Sequence, residues 1–202
     1  MSEHSILPLP PVADHTASPA ALALLTRARR EMMMVPNLHR MMAHAPPLLE
    51  TYMDGYARFR RDSGFSPAEQ EVAFLSISRE NGCGYCVAAH SFLADARSGV
   101  PRAVTEAIRE DRPVPDVCLG AVDRLVRSLV RTRGRPDPAD LRAFVEAGFR
   151  ETQVLDLVLA VAIKTMSNYT NHLCETEIDG IFRTREWRVF KAAQALKERL
   201  TG

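Results

Sequence analysis

Three times in this chain a side chain that caps helices stands directly before a proline: Ser18-Pro19, Ser66-Pro67 and Asp137-Pro138. The cap oxygen accepts a hydrogen bond from one of the unpaired N–H groups of a helix's first turn, and proline in that turn has no N–H to lose. Ser66-Pro67-Ala68-Glu69 also completes a capping box, in which the glutamate reaches back to the serine N–H. Stops are marked at Gly64, Gly99, Gly134 and Gly180. Between these signals the spacing predicts helices over 18–33, 37–45, 47–62, 66–81, 83–98, 101–110, 115–133, 138–147, 151–175 and 183–200. In 115–133, Cys118, Leu119, Val122, Leu125, Val126, Leu129 and Val130 recur mostly at three- and four-residue spacing, and Gly120 interrupts them only mildly. Asp54-Gly55 and Asp179-Gly180 lie in helical surroundings or at a helix end, so neither reads as a hairpin turn between strands. The expected fold is all-α, an irregular multi-helix bundle.

A chain of 202 residues that is 46% apolar buries one substantial core. Residues 1–17, with Pro8, Pro10 and Pro11, read as a flexible or surface-draped arm, and 18–202 as a single helical domain. Basic and acidic residues nearly balance, 26 against 25, which argues against an electrostatic nucleic-acid or membrane binder. The basic run at 131–135 fits a helix C-terminus, where cations meet the negative end of the dipole. Residues 1–11 show no cationic segment followed by an apolar run, and the longest apolar stretch, 154–163, is broken by Asp156 and is about half a membrane span. A cytoplasmic location is therefore expected, where close cysteine pairs are more often redox-active or metal-binding than structural.

The chemistry concentrates in Cys83-Gly84-Tyr85-Cys86, followed by His90. Gly82 permits a tight break between two helices, placing Cys83 in the first turn of the second. Cysteines three apart then share a face and can form a disulfide, and His90 lies one turn further along that face. The positive end of a helix favours thiolate over thiol, and a neighbouring imidazole can take the proton. Such a thiolate attacks a peroxide O–O bond to give a sulfenic acid, which a second thiol converts to a disulfide. Glu71, on the preceding helix, is a candidate far end of a proton relay through His90; periodicity alone does not separate it from Glu69 or Glu80.

Glu71, Cys83, Cys86 and His90 at these spacings, with Ser66-Pro67-Ala68-Glu69-Gln70-Glu71 before them and Asn81-Gly82-Cys83 at the break, resemble the signature of the alkylhydroperoxidase AhpD-like group of the carboxymuconolactone decarboxylase superfamily. The resemblance implies an AhpD-like helical bundle and a thiol-dependent peroxidase. It implies that Cys86 attacks the hydroperoxide, Cys83 resolves, and Glu71 with His90 relays protons. It also implies no cofactor, a dihydrolipoyl-type or thioredoxin-like reductant, and a homo-oligomer. The decarboxylase branch does not generally use a cysteine pair. Tyr85 departs from the pattern, standing where the best-characterised members carry histidine; a phenol keeps its proton to far higher pH. Polar residues recur 85 positions on, at Asp156, Asn168, Asn171 and Glu175. Coincidence explains this as simply as duplication of a helix pair; under duplication Asn168 or Asn171 lines the site or holds the helix ends.

Other readings compete. Cys83, Cys86 and His90 with His172 or Cys174 supply enough ligands for zinc, although one continuous helix is a poor tetrahedral template. A thioredoxin fold is opposed by the capping box at Ser66 and by the lack of convincing flanking strands. A redox sensor would keep the disulfide without turnover. Met32 to Met34 with Met41-Met42 read as flexible core or a partner-facing patch, and His39, His44 and Cys174 as structural. Cys118 reads as core, and Trp187 as an anchor of the last helix or an interface residue.

Overall fold

The computed structural model describes residues 6–186. They form α1 (Pro19–Met32), α2 (Asn37–Met42), α3 (Pro46–Asp62), α4 (Pro67–Glu80), α5 (Gly84–Ala96), α6 (Arg102–Arg109), α7 (Val117–Arg131), α8 (Pro138–Glu146), α9 (Gln153–Cys174) and a closing 3-10 helix, Gly180–Arg185. No strand occurs among the described residues. The expected helix over 183–200 lies mostly outside them, as does Trp187. No described helix is long and apolar enough to cross a membrane.

The capping residues act where the sequence places them. Ser18 Oγ accepts from Ala21 N at 3.2 Å, and an Asp137 carboxylate oxygen from Ala139 N at 2.7 Å. Ser66 and Glu69 exchange both bonds of the capping box. Gly64, Gly99 and Gly134 take the left-handed conformation expected of stops. Gly180 does not: α9 ends earlier, on Glu175 at φ 45°, and Gly180 opens the 3-10 helix. Met33 ends α1 in the same left-handed region, at φ 60°, with its side chain 88% exposed. Because nothing packs against that side chain to repay the strain, Met33→Gly is expected to stabilise the fold by roughly 0.5–1 kcal/mol. A higher urea midpoint with an unchanged m-value checks this.

At the centre lies α4, whose residues from Gln70 to Ser78 are all buried. A helix enclosed on every side must be covered by others, and α5, α6, α7 and α9 pack around it. Phe59, Phe65, Phe144 and Phe149 extend the aromatic core from α3 to α8. Gly55 lets α3 close on α9: a Cβ there would lie 3.2 Å from Ile163 Cγ1. The core is not wholly apolar, since Asp123 accepts from Ser76 Oγ at 2.6 Å and from Arg127 Nε at 2.7 Å.

Residues 6–17 form no helix and run over α2 and α9, with Leu7 N bonded to Leu173 O, Val12 N to Arg40 O, and Asp14 paired to Arg29 and Arg40. Cys118 corrects the sequence reading. It is exposed, because the buried face of α7 runs through Leu119, Val122, Leu125 and Val126, and the residue before Leu119 turns outward. Met41 and Met42 are buried core, while Met32 and Met33 face outward.

Candidate active site

The break between α4 and α5 falls at Gly82, which takes φ 69°. Cys83 is then the N-cap of α5, and Cys86 the residue in its first turn, one step along from where the sequence placed the pair. Both are free thiols and both are buried. Across from them α9 presents an inward polar row, Lys164, Ser167 and Asn171, at helical spacing. Asn171 Nδ2 lies 3.3 Å from Cys86 Sγ and 3.7 Å from Cys83 Sγ, and Ser167 Oγ lies 3.8 Å from Cys86 Sγ.

Behind the thiols runs a chain of buried charges. Glu71 on α4 accepts from Arg60 of α3 through one carboxylate oxygen and meets His90 Nδ1 at 2.9 Å through the other. The far ring nitrogen of His90, Nε2, is 2.9 Å from Lys164 Nζ. The Lys164 charge in turn acts on Cys86 and lowers its pKa. The order is therefore Arg60, Glu71, His90, Lys164, Cys86. His90 is held between Glu71 and Lys164. Phe74 forms the platform beneath, with the Arg60 guanidinium 4.9 Å, the His90 ring 5.1 Å and Lys164 Nζ 5.8 Å from its centroid.

This arrangement separates the two thiols. Burial alone would raise the Cys86 pKa, but a hydrogen bond from Cys83, the Lys164 charge and His90 outweigh it and hold Cys86 well below the ordinary thiol value. Cys83 is pushed well above that value, first by burial and then by its bond to, and repulsion from, Cys86. Burial would also raise Glu71, yet His90 and Arg60 bring it below the usual carboxylate value. Burial and the Lys164 charge lower His90, so a neutral imidazole donates from Nδ1 to Glu71 and accepts at Nε2 from Lys164.

A cavity of about 290 Å³ opens over Cys86, walled by His39, Tyr52, Met53, Leu93 and Phe182. Tyr85 forms part of the wall too, but its hydroxyl donates to the Asp179 carboxylate and turns away from the thiols. Burial and Asp179 push that phenol's pKa far up. Asn168 Oδ1 accepts from Asn81 Nδ2 at 2.9 Å and so ties α9 to the end of α4. Asp156 is part-buried near the start of α9 and Glu175 is exposed at its end. All four positions of the recurrence lie along or directly after one helix that runs unbroken through the register where α4 and α5 part. Glu69 is spent in the capping box and Glu80 pairs with Arg131, which leaves Glu71 as the carboxylate at His90. His172 is exposed, and no group of three or more His, Cys, Asp or Glu among the described residues converges as metal ligands.

The chain aligns with the alkylhydroperoxidase AhpD core of an uncharacterised peroxidase-related protein from Ralstonia eutropha JMP134, with a TM-score of 0.74 at 20% identity over 89% of this chain and 95% of that one. The fold is AhpD-like. An uncharacterised peroxidase-related protein from Silicibacter sp. TM1040 gives 0.70 at 21% identity, over 90% and 95%. The debrominase Bmp8 gives 0.69 at 16% identity, over 87% and 94%. No family model and no curated protein matches the sequence.

Within this AhpD-like frame the sequence reading missed Lys164, Arg60 and His39. Lys164 had a signal: it follows the apolar run 154–163 on the helix face shared with Ala160, Ser167 and Asn171, where an isolated cation must be enclosed. Arg60 had none, since Arg58 and Arg61 flank it with the same charge. His39, read as structural, is on the cavity wall; His44 instead bonds the Pro10 carbonyl at 2.8 Å.

Proposed function

We propose that this chain is a thiol-dependent peroxidase that reduces hydroperoxides through a Cys83/Cys86 dithiol–disulfide cycle, with Glu71, His90 and Lys164 as the proton relay. One observation carries the reading: a buried Cys86, with Asn171 Nδ2 3.3 Å from its sulfur and Lys164 beside it on the same cavity, lines that cavity together with His90. The Cys86 thiolate attacks the terminal peroxide oxygen, the O–O bond breaks, and the departing alkoxide takes a proton from Lys164 to leave as an alcohol. Cys86 becomes a sulfenic acid and loses its negative charge. The hydrogen bond and repulsion that raised Cys83 then disappear, so its thiol attacks the sulfenic sulfur. A disulfide forms and the hydroxyl leaves with a proton as water. An external dithiol returns the disulfide to two thiols and is itself oxidised.

Both sulfurs are buried, which favours a slender dihydrolipoyl-type arm over the broad surface of a thioredoxin-like protein. Free thiols fit a reducing compartment such as the cytoplasm. Self-association, which the resemblance implies, is supported by the apolar side chains Leu155, Val158, Tyr169 and Leu173 exposed along α9.

A second reading, reductive dehalogenation, is favoured by one fact: a cysteine-to-alanine variant of Bmp8, TM-score 0.71 at 15% identity over 90% of this chain and 97% of that one, was crystallised with 2,3,4-tribromopyrrole. The deciding experiment is consumption of cumene hydroperoxide with dihydrolipoamide by wild type, Cys86→Ser and Cys83→Ser. Turnover is expected in wild type, none in Cys86→Ser, and a single stoichiometric event in Cys83→Ser. Wild-type activity no greater than that of Cys86→Ser sinks the peroxidase reading.

A further inference from the structure

The proposed chemistry uses Cys86 and the charges behind it but leaves the opposite wall of the cavity without a role. On that wall stands His39, 3% exposed, its ring edge-on to Tyr52 at 5.7 Å. Among the described residues Nδ1 has no hydrogen-bond partner. Burial lowers its pKa to about 4, against which the nearby Glu31 charge works only partly, so at neutral pH the ring is uncharged with one N–H and one free lone pair. Tyr52 beside it lines the same cavity. Burial, with Tyr56 and Cys86 nearby, keeps that phenol protonated. A buried imidazole nitrogen without a partner is unusual, because polar atoms taken out of water are nearly always paired. Both side chains line the cavity, where an occupant can bond the imidazole and the phenol.

The rest of the cavity says what that occupant is. Its walls are largely apolar and aromatic, with Met53, Leu93, Phe182 and the Tyr52 ring, so they suit a flat hydrophobic body. Its volume of about 290 Å³ far exceeds the roughly 30 Å³ that one water takes up in the liquid. The charges are already matched: Arg60 is paired with Glu71, and Lys164 faces the Cys86 thiolate. Among the described lining residues no spare cation awaits an anion, and Glu31 at the rim is itself paired with Arg27.

We propose that the cavity over Cys86 binds an uncharged aromatic molecule bearing one hydroxyl or ring N–H, whose proton is accepted by His39 and whose heteroatom, in the hydroxyl case, is met by Tyr52. It rests on the reading of Cys86 as the reacting thiolate, and adds that His39 and Tyr52 select the substrate by a polar group distinct from the bond that breaks. A site built to bond a hydroxyl discriminates strongly against the analogue without it.

Calorimetric titration of the reduced full-length protein at pH 7 with 4-chlorophenol, 4-chloroanisole and 4-chlorobenzoate tests this. The phenol is expected to bind at least about tenfold tighter than the anisole, which lacks the donor, and the benzoate anion weakest. His39→Phe is expected to remove most of that preference. Tyr52→Phe, which keeps the ring and so the packing, is expected to reduce it. Equal affinity for phenol and anisole in wild type overturns the proposal, as does a preference unchanged in both variants or tighter binding of the benzoate. The titration reads binding without turnover. A protein inert toward hydroperoxides that still prefers 4-chlorophenol therefore overturns the peroxidase reading and supports this assignment.

Discussion

Lys164→Met is expected to lower hydroperoxide turnover by about 10²- to 10⁴-fold, the range over which a positioned acid or base acts. The side chain is 1% exposed, bonds His90 Nε2 and lines the cavity over Cys86, so it is the cation placed to act there. Methionine matches its length but carries neither charge nor proton. The same substitution removes a leading cause of the low Cys86 pKa, so thiolate should form at higher pH in the variant. The sign follows from linkage. Because Cys86 is depressed in the folded state, its contribution to stability is fully present above the unfolded thiol pKa of about 8.5 and is lost as pH falls through the folded value. In Lys164→Met that loss should set in at higher pH. Thiolate absorbance at 240 nm against pH, with alkylation rates at each pH, checks the shift; coincident profiles for wild type and variant would remove Lys164 from the relay.

Glu71→Leu should be the most destabilising change at the site, by roughly 3–5 kcal/mol, the cost of deleting one partner from a buried ion pair. Leucine fills a similar volume, but leaves the Arg60 guanidinium and His90 Nδ1–H without an acceptor in a pocket where Glu71 itself is 1% exposed. Glu71→Gln keeps one acceptor oxygen and should lose less. Urea unfolding at pH 7 measures both; two variants with wild-type midpoints would show that Arg60 and His90 find other partners. Acid should mimic the substitution in the wild type. The lowered Glu71 pKa gives stability present above the unfolded carboxylate pKa of about 4.3 and lost as pH falls through the folded value.

The bundle was legible because its signals are local. Ser66-Pro67-Ala68-Glu69 specifies a helix start whatever surrounds it, and the apolar spacing of Leu119 to Leu129 specifies a buried face. Likewise Gly82 between two helix patterns announces the break that puts the cysteines at a helix start. Boundaries set by less common devices were not legible. Glu175 and Met33 end helices in a conformation usually left to glycine or asparagine, and Gly180, which looks like a stop, begins a turn.

The site divides in the same way. The cysteines, His90 and Glu71 sit on two successive helices, so their meeting is nearly a local property. Lys164 and Asn171 arrive from α9, more than 70 residues later in the chain, as the 74-residue separation between His90 and Lys164 shows. No spacing rule joins them to the cysteines; their signal is polarity on the wrong face of an apolar helix. Tyr85, conspicuous between the cysteines, turned out to be tied to Asp179.

Under the proposed cycle Lys164 and Asn171 would also bear on the electron energetics of the cysteine couple. Both stabilise Cys86 as an anion, a form the disulfide does not possess, so they favour the dithiol side of the equilibrium. A sulfur pair whose reduced form is held in this way has a midpoint potential displaced toward the oxidising end, above the approximately −300 mV of structural disulfides. In the proposed cycle the bridge would then be easier to reduce than a structural disulfide, and a donor of modest reducing power should open it.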